Sequence, residues 1–430
     1  MFKTIVNAFK MPDLRKKMLF VLMILLVYRL GAVIPVPFVN SDTLAETFNS
    51  ASGSIFQYLN IMSGEAFSRA TLFALSVQPY ITASIVMQLL TIAIPALERL
   101  QSQGEEGRKK ITTITRYVTV GLGLITSYGY YAYIKSTGAL ISMTSQGQKV
   151  LAALVIIACY SAGSALVMWM AEKINEFGIG NGISILLFAG IIARIPSDMV
   201  RDFGYMTSGD TKYKILVPLL YVIYIFMIAL IVFMNNAERR IPIAYAKRVV
   251  GRKQYGGQNT FLPIKVSMAG VLPIIFAMAF MSLPSTLELF ITPKAGGFYE
   301  KVLNVFSYSH PVYGVLYFIL IIAFNYFYIS MQYNPLEIAN NLRQSNGSIP
   351  GIRPGKPTVD YLRRVLSKIT LLGAFFLGLI ALFPIIFGYA TKLPVSMGGT
   401  SILIVVSVAL ETARTMESQM MMRHHKGFLE

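Results

Sequence analysis

The stretch VLAALVIIACYSAGSALVMWM, residues 150–170, carries no charged side chain. It has about the 20 residues that an α-helix needs to cross a bilayer. Nine other apolar segments have a similar character, and lipid offers no hydrogen-bond partner to an unpaired backbone group, so the sequence predicts ten membrane-spanning helices. The ten predicted spans are 18–34, 71–95, 111–134, 150–170, 183–195, 215–234, 264–289, 312–331, 369–387 and 395–410.

The composition excludes a soluble globular protein. Apolar residues make up 55% of the 430 residues, charged residues make up 13%, and the mean hydropathy is +0.59. A soluble domain cannot bury that much apolar surface. The single cysteine, Cys159, excludes an internal disulfide. No small-residue cleavage site follows the first apolar run, which predicts a retained span and not a signal peptide.

Basic residues are distributed unevenly between the two sides of the membrane. With the N-terminus inside, the inner segments carry 27 of the 38 lysines and arginines. The positive-inside rule therefore predicts that both termini are cytoplasmic. The net charge of +18 is then largely a topology signal, and it does not by itself indicate nucleic-acid binding.

Two pairs of segments indicate an internal repeat. Residues 76–83 (SVQPYITA) match 270–277 (GVLPIIFA) at an offset of 194, and 182–187 (GISILL) match 399–404 (GTSILI) at an offset of 217. Each pair is five predicted spans apart, so the two halves face opposite ways in the membrane. The predicted organisation is a cytosolic tail 1–17, a first half 18–200, an outer connection 201–214, a second half 215–410 and a cytosolic tail 411–430.

Four predicted spans are expected to surround the functional centre. The fifth and tenth are the shortest and start after glycines, and the second and seventh each carry a proline that frees a backbone carbonyl. Aliphatic side chains at repeat-related positions on these spans predict a narrow, water-excluding ring. Its predicted members are Val77, Ile81, Ile183, Leu187, Ile275 and Ile404. Such a ring suits a gate for something bulky and chemically varied, such as a polypeptide.

The predicted spans lack the residues of an enzyme or a metal site. They contain no histidine and no aspartate, and the chain has no H-E-x-x-H motif and no P-loop. We therefore expect no catalytic residue, no cofactor and no metal, and any nucleotide-driven motor is expected to be a separate protein. An ion-coupled transporter usually needs carboxylates or histidines within its spans.

Two long basic loops are expected to face the cytoplasm. Residues 351–355, GIRPG, directly follow Pro350. The two glycines of this stretch, together with Pro350 and Pro354, bend or fix the backbone around Arg353. Alternation in residues 240–249, followed by Gly256 and Gly257, predicts a short hairpin in the other loop. These loops predict contacts with phosphates of ribosomal RNA or with acidic patches on a motor. Lipid headgroups are the alternative partner. The expected docking residues are Arg239, Arg240, Lys247, Arg248, Arg252, Lys253, Arg353 and Lys356.

Six stretches together resemble the SecY family, whose members form the core of the bacterial protein-export channel. Two of them lie in the basic loops: residues 238–266 (ERRIPIAYAKRVVGRKQYGGQNTFLPIKV) and 333–358 (YNPLEIANNLRQSNGSIPGIRPGKPT). The others are residues 103–117 (QGEEGRKKITTITRY), 79–90 (PYITASIVMQLL), 177–184 (FGIGNGIS) and 398–406 (GGTSILIVV). The resemblance extends from about Met11 to Leu429.

The resemblance implies an all-α polytopic channel of ten helices in two inverted halves around an hourglass-shaped pore, with the aliphatic ring as its constriction. It also implies a plug that closes the outer side, and a lateral gate between the second and seventh spans that releases hydrophobic segments into lipid. The implied plug residues are Ile55, Phe56, Tyr58, Leu59, Ile61 and Met62. The implied gate residues are Gln78, Thr82, Ile85, Gln88, Ile274 and Met278.

The resemblance further implies a set of partners and a location. The partners are the membrane subunits SecE and SecG, the SecA ATPase, the ribosome, substrates with signal sequences, and anionic lipids. The location is the bacterial cytoplasmic membrane. The chain departs from the family pattern at Glu65, where a second glycine is usual, and at Gln78, where an apolar residue is usual. A secondary transporter with an inverted repeat and a membrane insertase or scaffold without a pore are the two alternatives.

Overall fold

The computed structural model describes residues 8–50, 60, 63–142, 145–207, 211–245, 248–250, 253–255, 260–288, 297, 303, 305–306, 310–391 and 399–426. The described part is mostly helical. Its helices are α1 (Pro12–Gly31), α2 (Ser41–Ser50), α3 (Gln78–Ala93), α4 (Pro95–Ser102), α5 (Glu105–Ser136), α6 (Gln146–Phe177), α7 (Gly182–Thr207), α8 (Thr211–Asn236), α9 (Leu272–Glu288), α10 (Pro311–Gln332), α11 (Pro335–Gln344), α12 (Lys356–Thr391) and α13 (Gly399–Lys426). Its strands are β1 (Glu238–Tyr245), β2 (Arg248–Val250), β3 (Lys253–Tyr255), β4 (Thr260–Lys265) and β5 (Gly347–Ser348).

Several of these helices are long and apolar enough to cross a membrane. In the described part of the chain there are five, namely α6, α7, α8 and the stretches Pro311–Gln344 and Lys356–Gly388. The pair α3 and α4 makes a sixth if its two helices form one span bent by 99°. The bend follows from Pro95, because the residue before a proline is pushed out of the helical region, and Ile94 has extended angles of φ −110° and ψ 111°. The other predicted spans remain predictions.

The two repeat offsets coincide with helix starts. The offset of 194 residues maps Gln78, the first residue of α3, onto Leu272, the first residue of α9. The offset of 217 residues maps Gly182, the first residue of α7, onto Gly399, the first residue of α13. The matched segments therefore begin equivalent helices.

A glycine is required where α7 begins. A Cβ added to Gly182 would lie 1.9 Å from the carbonyl oxygen of Ala171, so any other residue collides with the α6 backbone. Asn181 caps the new helix, since its Oδ1 accepts from the backbone N–H groups of Ile183 and Ser184 at 3.0 and 3.3 Å. This cap and this close approach fix where α7 starts against α6.

Several helices have limits that differ from those of the predicted spans. The second predicted span starts at residue 71, but residues 72–77 form turns and α3 begins at Gln78. The fifth and tenth predicted spans lie within longer helices, since α7 has 26 residues and α13 has 28. The ninth was placed at 369–387, yet α12 starts at Lys356. Apolar runs mark only the lipid-facing part of a helix, and these helices extend past it with polar residues.

One apolar cluster joins the two halves of the chain. Side chains from α1, α3, α6 and α7 pack in it with side chains from α8, α9, α10, α12 and α13. A separate cluster packs β1 and β4 against α11 and the first turns of α12, with Ile241, Ile264 and Leu362 among its buried members. The strand order of this sheet is β4-β1-β5. We call the sheet together with α11 and the start of α12 the ribbon module.

The ribbon module brings together the two basic loops that the sequence suggested separately. β1 pairs antiparallel with β4 from Glu238↔Lys265 to Ile243↔Thr260. It also pairs with β5 through Ala244↔Ser348 and Tyr245↔Gly347. The predicted hairpin is confirmed in part: β2 and β3 pair with each other, but β1 pairs with β4 beyond them.

Candidate functional site

The six residues predicted to form an aliphatic ring all belong to, or pack against, one large apolar cluster. Five of them are buried members of the large apolar cluster, and the sixth, Ile183, is half-buried and packs against it. Four separate segments supply them: Val77 and Ile81 at the start of α3, Ile183 and Leu187 on α7, Ile275 on α9 and Ile404 on α13. The structure therefore gathers residues that are more than 300 positions apart in the sequence.

The residues predicted to form a lateral gate lie on two helices in contact. Ile85, Ile274 and Met278 are buried in the same apolar cluster. Gln78 Nε2 donates to Ser282 Oγ at 3.4 Å, which joins α3 to α9. The unusual Gln78 therefore makes a polar contact between the two helices, and an apolar residue at that position has no group to make it.

Two other predicted gate residues make bonds within their own helix. Thr82 Oγ1 donates to the carbonyl oxygen of Gln78 at 3.1 Å. The carbonyl oxygen of Gln88 accepts from Thr91 Oγ1 at 2.7 Å. Both side chains are half-buried on α3. These bonds stabilise α3 itself and not its contact with α9.

The basic residues predicted for docking divide into exposed and undescribed ones. Arg239 and Arg240 are exposed on β1, and Arg240 Nε pairs with Glu238 Oε1 at 2.7 Å. Lys247 and Arg252 lie outside the described residues. Arg248 and Lys253 lie in β2 and β3, where only the backbone is described.

Arg353 is presented by a tight turn, as its neighbours predict. Gly351 and Gly355 have φ of +82° and +102°, a region that favours glycine. The Arg353 side chain is exposed, while its carbonyl oxygen accepts from Thr358 Oγ1 at 2.9 Å. Lys356, also exposed, is the first residue of α12 and not part of a flexible loop. The turn therefore ends directly in a helix that is anchored in the ribbon module.

A buried ionic cluster on α7 was missed by sequence reasoning. The side chains of Arg194 and Asp198 are 5% and 7% exposed, and Arg194 Nε lies 3.2 Å from Asp198 Oδ1. Arg201 Nη2 approaches the same oxygen at 3.1 Å, and the hydroxyl of Tyr221 on α8 donates to Asp202 Oδ2 at 3.1 Å. The predicted fifth span, 183–195, contains Arg194 but stops before Asp198. The i, i+4 spacing of an arginine and an aspartate was the available signal, since such a pair can stay helical and buried.

The predicted plug residues lie outside the described residues, but the segment that follows them is anchored to α7. Gly64 and Glu65 have φ of +65° and +69°. A Cβ at Gly64 would lie 2.7 Å from the carbonyl oxygen of Gly190. Glu65 Oε1 accepts from Ser197 Oγ at 3.0 Å, and Glu65 Oε2 pairs with Arg69 at 3.0 Å. The glutamate keeps a conformation that suits glycine while making two contacts that glycine cannot make.

The described residues contain no candidate metal site. They hold no group of three or more histidine, cysteine, aspartate or glutamate side chains placed to bind a metal ion. In the ionic cluster, Arg194 and Arg201 both pair with Asp198, and Asp202 accepts a hydrogen bond from Tyr221. Taken together, the features of this part of the chain are an apolar cluster, a contact between two helices and an exposed basic module.

A family model described as SecY matches residues 71–413, which is most of the chain. The chain belongs to the SecY family. It is 42% identical to the protein translocase subunit SecY of Streptomyces galbus, over 100% of both chains. It is 40% identical to the subunit of the same name from Mycobacterium tuberculosis strain H37Rv, also over 100% of both chains. Members of the SecY family are multi-pass membrane proteins that form a channel for protein translocation, and they are not enzymes.

Solved structures share the fold at lower identity. A structure described as that of a protein-conducting channel has a TM-score of 0.64 at 19% identity, covering 94% of this chain and 92% of that chain. Sec61 in a canine ribosome–channel complex from the endoplasmic reticulum has a TM-score of 0.61 at 18% identity, with the same two coverages. These likenesses establish a shared channel fold.

Proposed function

We propose that this chain forms the pore through which unfolded secretory polypeptides cross the bacterial cytoplasmic membrane. Ten spans in two inverted halves surround an hourglass-shaped pore, and both termini are cytoplasmic. The observation that carries this proposal is the meeting of aliphatic residues from α3, α7, α9 and α13 in one cluster. A seal of this kind keeps out water and ions, yet it has no fixed hydrogen bond that a passing chain must break.

Hydrophobic segments leave sideways into lipid between α3 and α9. The contact between these helices supports this part of the proposal, because it combines buried aliphatic side chains with a long hydrogen bond from Gln78 to Ser282. Separating two helices held by such contacts costs less free energy than separating two helices held by an ion pair. Gln78, Thr82, Ile85, Gln88, Ile274 and Met278 line this gate. The plug at residues 55–62 remains part of the proposal on the family resemblance alone.

The ribbon module is the docking surface for the partner that drives transport. Two loops with exposed arginines are joined by one β-sheet: Arg239 and Arg240 lie on β1, and Arg353 lies in the turn between β5 and α12. The driving partner is the SecA ATPase or the ribosome, whose acidic or phosphate groups suit such a surface. SecE clamps the halves, SecG binds at the periphery, and anionic lipids contact the remaining cytosolic basic residues.

A secondary transporter is not favoured. The structure does bury two carboxylates, Asp198 and Asp202, that the predicted spans lacked. Arg194 and Arg201 lie in the same two turns of α7, so the cluster contains two positive and two negative groups. A relay for coupling ions needs a carboxylate that can change its charge. Asp198 is paired with two arginines, and Asp202 accepts a hydrogen bond from Tyr221.

The pore assignment is tested by polar substitution within the ring. Ile81→Asn and Ile275→Asn are expected to raise the ion leak of reconstituted vesicles and to admit substrates with weakened signal sequences. Leu26→Asn is the matched control, because Leu26 is 62% exposed on α1 and faces away from the cluster. Unchanged leak and unchanged signal selectivity in both ring variants would show that the ring is assigned to the wrong residues.

The docking assignment has its own test. Arg353→Glu is expected to abolish motor-driven export while leaving the channel folded, because it reverses one exposed charge on a turn whose backbone is fixed by glycines. Arg108→Glu, at an exposed position on α5, is the control for charge reversal at a basic cytosolic surface. Normal export by the Arg353 variant would remove this turn from the docking surface.

A further inference from the structure

The base of the ribbon is tied to α13 by side-chain hydrogen bonds. Arg414 Nη2 donates to the carbonyl oxygen of Asn235 and to Oδ1 of Asn236, each at 2.6 Å. Asn235 Nδ2 donates to Ser407 Oγ at 3.0 Å. Asn235 and Asn236 end α8, and β1 begins two residues later at Glu238. We call Asn235, Asn236, Ser407 and Arg414 the ribbon-base clamp.

One end of the clamp is continuous with the docking surface. The carbonyl oxygen of Ala237 accepts from the backbone N–H of Val266 at 2.9 Å, which closes the β1–β4 ribbon at its base. The register begins immediately beyond it with Glu238↔Lys265. The exposed Arg239 and Arg240 are therefore separated from the clamp by paired backbone and not by a free loop.

The other end of the clamp is one helical turn from the aliphatic ring. Ser407 follows Ile404 by three residues on α13, a spacing that places both on one face of the helix. Both side chains are buried, and Val408, four residues after Ile404, belongs to the same apolar cluster. A displacement of the ribbon base therefore has a direct mechanical route to a ring residue.

The bond from Arg414 to the carbonyl oxygen of Asn235 also has a purely local explanation. The last carbonyl groups of α8 have no partner within the helix, and an arginine that donates to them is an ordinary way to end a helix. That explanation accounts for the bond from Arg414 to the Asn235 carbonyl. It does not account for the side chain of Asn235, which donates to the buried Ser407, three residues after Ile404 on α13.

We propose that the ribbon-base clamp couples docking on the ribbon module to movement of α13, and thereby to opening of the aliphatic ring. The inference rests on the proposed function, since it assigns the clamp to the coupling step between the driving partner and the pore. Arg414 and Asn235 are positioning residues in this step, because they contact neither the partner nor the transported chain. Binding of the partner and its effect on the pore are therefore separable.

The test uses the channel with its membrane partner subunits, reconstituted in vesicles of phosphatidylethanolamine and phosphatidylglycerol. The motor ATPase and a model secretory chain are added outside. Two quantities are measured: the maximal transport rate per folded channel, and the motor concentration that gives half of that rate. The variants are Arg414→Ala, Arg414→Lys, Ser407→Ala and the double alanine variant, with Arg108→Ala as the control for loss of one exposed cytosolic arginine.

Coupling predicts that Arg414→Ala lowers the maximal rate roughly tenfold at an unchanged half-saturating motor concentration, as for an interaction used only after binding. Arg414→Lys restores part of the rate, because lysine still donates to one acceptor. Ser407→Ala, a small change in volume, lowers the rate in the same way. The maximal rate of the double variant stays within about twofold of that of Arg414→Ala, because substitutions in one hydrogen-bond network do not have additive effects.

Three results overturn the proposal. A raised half-saturating concentration at an unchanged maximal rate would make Arg414 part of the docking surface. A lower midpoint of thermal unfolding with an unchanged transport rate per folded channel would show that the clamp only stabilises the end of α8. Additive losses would mean that Arg414 and Ser407 act separately. Failure of the unmodified channel to transport with any motor is a different result, and it would overturn the proposed function together with this inference.

Discussion

The hydrogen bond between Gln78 and Ser282 is expected to hold the lateral gate closed by a small, measurable amount. Its length of 3.4 Å places it at the long end for a hydrogen bond. A side-chain bond between helices in a membrane contributes about 0.6 kcal/mol on average. That energy corresponds to roughly a threefold change in the ratio of open to closed gates. Ser282→Ala is therefore expected to raise the export of a substrate with a weakened signal sequence about threefold.

A double-mutant cycle isolates this pair, which is necessary because Ser282 Oγ also donates to the Ala279 carbonyl at 2.7 Å. Export of the weak-signal substrate is compared for Gln78→Ala, Ser282→Ala and the double variant. We expect a coupling energy of about 0.6 kcal/mol. Ser330→Ala is the control, because Ser330 is exposed and its hydroxyl donates to the carbonyl oxygen of Phe327 in the same helix at 2.7 Å. A coupling energy near zero, or an equal effect of the control, would refute the reasoning.

Three further predictions concern stability, and each is measured by thermal unfolding of the purified channel in detergent. Gly355→Ala is expected to cost about 1–2 kcal/mol, because alanine is strained at φ +102°, and a neutral result would mean that the turn adapts. Arg194→Ala is expected to cost about 3 kcal/mol, since it removes one of the partners of the buried Asp198; a loss below about 1 kcal/mol would show that the pair is solvated. Glu65→Gly is expected to be more stable than Glu65→Ala by about 1 kcal/mol. Both variants lose the same contacts, and only alanine keeps the backbone strain at φ +69°. Equal midpoints of thermal unfolding would contradict this.

The sequence was sufficient to nominate the ring, and the reason is physical. Val77, Ile81 and Ile275 each lie two residues from a proline. Ile183 and Ile404 lie one and five residues after the glycines that start α7 and α13. Prolines and glycines mark the ends of helices, and the repeat aligns those ends. Residues next to such markers can therefore be located in a fold before any contact is known.

The limits of α7 and α12 could not be read in the same way. Charged residues normally end an apolar run, yet Arg194 and Asp198 neutralise each other and allow α7 to continue to Thr207. The start of α12 at Lys356 is set by burial of Val359 and Leu362 against the ribbon, which depends on contacts with β1 more than 100 residues away. Pairing of β1 with β5 is equally long-range, so the sequence suggested two loops where the structure has one module.

The passage of a polypeptide through the aliphatic ring is the central claim, and site-specific crosslinking tests it most directly. A photoreactive residue replaces Ile81 or Ile275 in membrane vesicles, and a secretory chain is stalled halfway through transport. The control position is Leu26, which is exposed on α1. The proposed function predicts crosslinks to the stalled chain from both ring positions and none from the control. Continued export without any crosslink from the ring would mean that the chain takes another route, and a scaffold without a pore would then replace the channel.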